Sequence, residues 1–172
     1  MEQMWSPWRS EHVGSWEERR GDEGADGLFE RLGRETDRDE QNFVVYRADL
    51  VYVVMNLYPY NNGHVMIVPL RRVETYEDLT PEERYEMSDV LAKCLDWIRA
   101  ALAPEGFNIG INIGAGSGAG IPKHLHLHVV PRWSGDTNFM PVTAGTKVIP
   151  EGIRTTYRRI RDQIGEAGSE SP

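Results

Sequence analysis

The chain has 172 residues, 40% of them hydrophobic, with 19 basic and 27 acidic side chains and a net charge of −8. That length suits one domain with a real core, and the acidic balance argues against nucleic-acid binding through an overall field. There is no apolar run near the ~18 residues of a membrane span and no basic-plus-apolar leader, while the single cysteine, Cys94, forbids an internal disulfide or a zinc site needing two thiolates, so a cytoplasmic protein without membrane contact is expected.

In chain order, residues 1–27 read as an amino-terminal arm and loop. Trp5 and Trp8 in the arm suggest packing on the body or on a second subunit, and His12 reads as a surface residue. Leu28–Leu32 suggests one helical turn, and the charged, aperiodic residues 33–41 read as loop. Phe43–Tyr46 and Val51–Met55 are β-branched or aromatic runs around Ala48-Asp49, which predicts a hairpin. Asn56 follows, then the turn cluster Tyr58–Gly63, then a third strand, His64–Pro69, with His64 at its mouth.

Thr80-Pro81-Glu82-Glu83 is a helix start with the residues of a capping box. Met87, Val90, Leu91, Cys94, Leu95, Ile98 and Leu102 share one face of a helix over 81–102, with Pro104 and Gly106 as stops. Cys94 on that face reads as a buried structural thiol. Phe107–Ile113 alternates as a fourth strand. The loop Gly114–Gly120 and the stretch His124–Pro131 follow, the latter read as the fifth strand. Residues 132–148 read as an irregular extension. Ile153, Tyr157, Ile160 and Ile164 predict a short carboxy-terminal helix within 149–164, and 165–172 read as a disordered tail. The whole is an α+β domain over 28–148, with about five largely antiparallel strands and one long helix.

The chemistry concentrates in His124-Leu-His126-Leu-His128-Val-Val, which holds three of the five histidines. Period-two alternation puts the imidazoles on one face, roughly 6.6 Å apart from one to the next. Metal ligation, nucleophilic attack by imidazole on phosphorus, and an ordinary hydrogen-bonded strand all fit that pattern. The glycines at 114, 116, 118 and 120 shift the balance, because backbone N–H groups in such a loop can approach an anion closely. Together the loop and the histidine row describe a phosphoryl site.

The histidine row resembles the signature of the histidine triad (HIT) family. Leu57-Tyr-Pro-Tyr-Asn-Asn-Gly-His64 is similar to the family's turn into its third strand, and Asn112 stands where the family places an asparagine. The flanks Met4–Arg9 and Pro131–Met140 resemble a bacterial branch of diadenosine tetraphosphate phosphorylases and hydrolases. The resemblance implies a HIT-like fold and attack by His126 on a nucleotide α-phosphate, through a transient nucleotidyl-histidine. It implies that His128 and His64 contact the phosphate, that His124 orients the row, and that Asn56 and Leu57 meet the ribose and base. Asn112 and the backbone of Gly118, Ala119 and Gly120 would hold phosphate oxygens. Water or inorganic phosphate would be the acceptor, a divalent cation could accompany the nucleotide, no cofactor would be tightly bound, and a homodimer is expected. A non-catalytic nucleotide sensor and a nucleoside phosphoramidate hydrolase are the alternatives.

Some positions depart from the family pattern. Ala119-Gly120 replaces a polar pair, which favours polyphosphate substrates. Gly27-Leu-Phe-Glu30 and Arg72 replace a Cys-x-x-Cys pair and a histidine that bacterial relatives use for zinc, so no metal is expected. Lys123 and Arg132 flank the row as candidates for distal phosphates, and Trp133 as a base-stacking or packing residue.

Overall fold

The computed structural model describes residues 27–117, 121–136 and 149–169. Helix α1 spans Leu28–Arg34, a 3-10 turn Thr36–Arg38 and a short helix α2 Asp39–Asn42. Strands β1 (Val44–Arg47), β2 (Val51–Met55) and β3 (Val65–Pro69) follow, then helix α3 (Pro81–Leu102). Strand β4 (Gly106–Ile111), a 3-10 turn Ala115–Ser117, strand β5 (Leu127–Arg132) and helix α4 (Ile153–Ser169) complete the chain. The five strands form one antiparallel sheet in the order β1-β2-β3-β5-β4. No helix among the described residues is long and apolar enough to cross a membrane.

Alternation buries side chains on both faces of β1, β2, β3 and β5, while the edge strand β4 is partly exposed. Val51, Val53, Met55, Val65, Ile67, Leu127 and Val129 point to the face covered by α3 and α4, with Met87, Val90, Cys94, Ile98 and Ile160. Val44, Tyr52, Val54, Met66 and Val68 point to the other face, under Phe29 and Leu32 of α1. The hairpin, the capping box and the long helix stand where the sequence places them.

Three readings are corrected. Residues 33–41 are mostly helical rather than loop. The stabilising contact is tertiary: the Arg47 guanidinium donates to Leu32 O at 2.7 Å, Gly33 O at 2.9 Å and Asp39 Oδ1 at 2.7 Å. The fifth strand begins at Leu127, so His124 and His126 precede the ladder. Leu125 N–H instead donates to Val73 O at 2.7 Å, in the strap after β3. The closing helix reaches Ser169, so the segment from Gly165 to Ser169 is helical rather than a disordered tail. The amino-terminal arm with Trp5, Trp8 and His12, and residues 137–148, lie outside the described residues.

The start of α3 is tied to the segment after β3 through Glu83. Its side chain accepts from Thr80 N at 2.8 Å while Thr80 Oγ1 accepts from Glu83 N at 3.2 Å, a complete capping box. Arg71 donates to the same carboxylate from Nε at 2.9 Å and Nη2 at 2.7 Å. The Arg71 hydrogen bond holds the Glu83 carboxyl below its ordinary value, against the opposing effect of burial. A depressed carboxylate contributes stability that is present above its unfolded value and lost as pH falls through the folded one. Glu83→Gln is therefore expected to lower the melting temperature at pH 7 and to flatten the acid limb of the stability profile. An unchanged acid limb in a pH series of thermal melts would refute that role.

Candidate active site

The site is assembled at the ends of β2, β3 and β5. Register pairs Met66 of β3 and Gly110 of β4 with His128 of β5, so His128 projects on the α1 face of the sheet. His64, two residues before Met66, projects on the same side. The turn Asn56–Gly63 delivers it there: Asn56 N donates to His64 O at 2.9 Å and His64 N to Asn61 O at 3.3 Å. His64, His124, His126 and His128 are 0, 0, 5 and 8% exposed. The His126 and His128 rings meet edge to face at 4.7 Å, and those of His64 and His128 lie 5.1 Å apart.

Hydrogen bonds fix where each ring carries its proton. His126 Nδ1 lies 2.8 Å from His124 O. A carbonyl only accepts, so Nδ1 is protonated and the lone pair sits on Nε2, the nitrogen that can attack. Likewise His124 Nε2 donates to Pro69 O at 2.9 Å, which leaves its buried Nδ1 lone pair with no hydrogen-bond partner. Tyr60 N–H donates to His64 Nδ1 at 3.0 Å. His64 must then carry its proton on Nε2, which donates to His128 Nδ1 at 2.9 Å. His128 in turn carries its proton on Nε2, which lies 3.4 Å from Asn112 Nδ2; turning the amide over would set its oxygen there to accept. Besides the buried Nδ1 of His124, the row thus offers an imidazole lone pair on His126 beside an N–H donor on His128.

Burial favours the neutral form of His124, His126 and His128. Desolvation lowers His126, opposed by its bond to the His124 carbonyl, and lowers His124 likewise against the Pro69 bond. His128 is pushed down to about 4, by burial first and by His126 second. Unfolded histidines titrate near about 6.5. The folded values are depressed, so the unfolded chain binds more protons below that point. Stability contributed by the neutral rings is present above about pH 6.5 and lost as pH falls toward about 4 for His128. Chemical denaturation between those limits should show falling stability, with a smaller slope in His128→Asn. Equal slopes in the two proteins would contradict this.

Asn56 stands at the mouth. Its Oδ1 accepts from Tyr58 N at 2.9 Å and its Nδ2 lies 3.4 Å from His64 Nδ1, so it braces the turn. Leu57 packs at the rim of the main core. Gly114 turns with φ +77° and begins the glycine loop, where Ser117 N donates to Gly114 O at 3.2 Å. Gly118, Ala119 and Gly120 lie outside the described residues.

Arg132 is spent within the protein: Nε and Nη2 hold Asp136 at 2.6 and 2.7 Å, and Nη1 donates to Asn108 Oδ1 at 2.5 Å. Trp133 Nε1 donates to Ala103 O at 3.2 Å, a packing contact.

Several contributors were not legible beforehand. Phe29 of α1 sets its ring 5.1 Å from His126 and edge-on, 5.6 Å away, to His124. Its carbonyl accepts from Tyr52 Oη at 2.8 Å. The Tyr60 ring lies over His64 at 4.8 Å. Asn61 Nδ2 bonds to Pro131 O at 3.0 Å and Asp136 Oδ2 at 2.7 Å, and Thr156 of α4 donates to Asn62 Oδ1 at 3.0 Å. Tyr60 and the two asparagines sit in the Leu57–His64 turn, and that turn is the signal that could have found them.

The sequence and the sheet agree with known proteins. Residues 37–135, more than half of the chain, match the HIT domain, and the chain belongs to the HIT family. It is 48% identical over 120 residues to a Mycobacterium tuberculosis protein named AP-4-A phosphorylase, covering 70% of this chain and 62% of that one. It is 36% identical over 93 residues to the asymmetrical bis(5'-nucleosyl)-tetraphosphatase of Schizosaccharomyces pombe, covering 54% of this chain and 50% of that one. The chain therefore spans less than two thirds of these curated relatives. The crystal structure of a Zn-bound histidine triad family protein from Mycobacterium smegmatis shares the fold, with TM-score 0.67, 24% identity, and coverage of 84% of this chain and 96% of that one.

The positions where the resemblance would place zinc ligands carry other chemistry here. Arg72 Nη1 lies 3.4 Å from Glu30 Oε2, and Arg72 Nε donates to Lys123 O at 3.2 Å. A carboxylate already paired with a guanidinium, beside one imidazole, is not a zinc ligand set. Among the described residues no three His, Cys, Asp or Glu side chains are grouped to hold a metal ion.

Proposed function

We propose that the protein transfers a nucleotidyl group from a dinucleoside polyphosphate to inorganic phosphate through a nucleotidyl-His126 intermediate. The observation that carries this reading is the His126 Nδ1 bond to His124 O, which reserves the Nε2 lone pair for phosphorus. His128 Nε2–H and Asn112 stand beside it to steady charge on phosphate oxygens. His64 fixes His128, and His124 fixes His126. Asn56 and Leu57 would meet the nucleoside, the glycine loop through Gly118, Ala119 and Gly120 would meet the phosphates, and any divalent cation would enter with the nucleotide. The 48% identity to a protein named AP-4-A phosphorylase favours phosphate as acceptor, while the resemblance to a tetraphosphatase keeps water as the second reading. A nucleotide sensor would not need a nucleophile held in one tautomer.

Product analysis with diadenosine tetraphosphate tests the reading. ADP plus ATP formed only when phosphate is present would support it. AMP plus ATP without phosphate would replace phosphorolysis by hydrolysis, and no turnover at all would overturn the proposal. A homodimer belongs to the same reading. Strand β4 is an edge of the sheet, and Ile109 and the nearby Ile113 are 45 and 43% exposed, the kind of apolar edge that a second copy would cover. Light scattering on the purified protein should give twice the chain mass, and a monomer mass would remove this element. A cytoplasmic location also belongs to it, supported by the lone cysteine.

A further inference from the structure

The row enters the site before the sheet can hold it. Strand β5 begins at Leu127, so the backbone of residues 123–126 lies outside the ladder. Yet the His124 carbonyl is what fixes the proton of His126, 2.8 Å from Nδ1. Three bonds to residues 69–73 take the place of the ladder. His124 Nε2 donates to Pro69 O at 2.9 Å, Arg72 Nε donates to Lys123 O at 3.2 Å, and Leu125 N donates to Val73 O at 2.7 Å. They tie down residues 123, 124 and 125 in turn. Of the three, the Arg72 bond is made by a side chain outside the row.

A hydrogen bond holds the His126 ring at one point and leaves rotation about that point open. Two neighbours limit it. His128 stands edge to face at 4.7 Å, and Phe29 lies 5.1 Å away, tilted by 55°. The place of Phe29 depends on α1, a helix of seven residues, too short to be stable by itself. Tyr52 Oη donates to the Phe29 carbonyl at 2.8 Å. The next residue, Glu30, pairs with Arg72 Nη1 at 3.4 Å. Arg72 therefore spans the helix that carries Phe29 and the backbone that carries the His124 carbonyl. Its Nε and Nη1 belong to one rigid plane, which sets the two contacts at a fixed separation. The Arg72 and Glu30 side chains are 34 and 31% exposed, so their charge attraction is screened and geometry is the larger effect.

We propose that Arg72 and Glu30 are positioning residues for His126: the guanidinium fixes Phe29 relative to the His124 carbonyl and so holds the His126 Nε2 lone pair on the line of attack. The inference rests on the nucleotidyl transfer proposed above. Arg72 acts through the 123–125 backbone and through Glu30, and Glu30 acts through α1 and Phe29. Without the bridge, residues 123–125 lose one of three tethers and the helix loses its tie to them. The His124 carbonyl then drifts from His126 Nδ1, and the ring admits the tautomer whose proton sits on Nε2, which cannot attack. A misplacement of about 1 Å at a reacting group costs roughly 10²-fold in rate. The nucleoside contacts assigned to Asn56 and Leu57 lie on a different turn, so binding is spared.

The test combines steady-state kinetics on diadenosine tetraphosphate and phosphate with nitrogen-15 NMR of the imidazoles, which reports the His126 tautomer without any substrate. Arg72→Met should lower kcat by about 10²-fold with KM nearly unchanged. Its His126 signals should show a mixture of tautomers where the wild-type protein carries the proton on Nδ1. Arg72→Lys keeps the charge, but one ammonium cannot hold the carboxylate and the carbonyl in the same fork, so its kcat should stay near that of Arg72→Met. Glu30→Gln should shift both readouts in the same direction. Adding it to Arg72→Met should cost nothing more, because both changes break one bridge. A wild-type kcat, a fall expressed only in KM, or an unchanged Nδ1–H tautomer in folded Arg72→Met would overturn the inference. Full activity in Arg72→Lys would overturn it in favour of charge alone, and losses that multiply in the double variant would remove the bridge. Should Arg72→Met fail to fold, Glu30→Gln decides on the same two readouts, wild-type values overturning the inference. If the wild-type protein turns over no diadenosine tetraphosphate, the proposed function falls, while the tautomer of folded Arg72→Met still decides whether the bridge orients His126: a mixture supports it and a single Nδ1–H form overturns it.

Discussion

His126→Ala is expected to lower turnover of diadenosine tetraphosphate by about 10⁴-fold or more with the fold retained. Loss of a nucleophile that forms a covalent intermediate removes the reaction path itself, and such losses reach roughly 10⁶-fold in other enzymes. The substitution also leaves the site short of a ring beside Phe29, which stands 5.1 Å from His126, but it removes no link of the Tyr60–His64–His128 chain. Substrate binding should therefore suffer far less than kcat. Kinetics with radiolabelled or fluorescent dinucleotide, alongside circular dichroism of both proteins, would check the result. Full turnover by the variant would refute the assigned nucleophile.

Gly63→Ala is expected to be the most disruptive single-methyl change near the site, costing about 2–5 kcal/mol. Gly63 has φ +72°, a conformation that costs a residue with a Cβ roughly 1–2 kcal/mol. The added methyl would also overlap Leu102 Cδ1 and stand 3.3 Å from Pro131 Cγ, and overpacking of this kind typically costs about 1–3 kcal/mol. The neighbour is His64, so backbone relief at residue 63 would draw that ring off His128. Urea unfolding should show the loss of stability, and activity should fall even in the folded fraction. A variant as stable and active as the parent would show that the turn is not held as described.

Local features were legible in the chain. The capping box at Thr80 and Glu83, the apolar stripe of α3 and the alternation of the strands each depend on residues a few positions apart. The imidazoles shared a face as the period-two pattern requires, although the ladder starts only at Leu127. What could not be read depends on distant partners. The helical turns over 36–42 lack an apolar stripe, and Arg47, from a strand, holds them. The insertion of β5 between β3 and β4 is a non-local choice. The proton positions were hidden for the same reason. They follow from Tyr60 N–H meeting His64, and from His64 meeting His128 across 64 residues of chain. Arg132 is a candidate for distal phosphates from its place beside the histidine row, but Asp136 and Asn108 occupy its guanidinium.

The measurement closest to the centre of this account is direct trapping of the intermediate. The protein would be mixed with diadenosine tetraphosphate in phosphate-free buffer, quenched in alkali to preserve a phosphorus–nitrogen bond, and mapped by peptide mass spectrometry. An AMP adduct on His126, lost when phosphate is added before the quench, is the predicted result. Turnover with no adduct, or with the adduct on another residue, would contradict it.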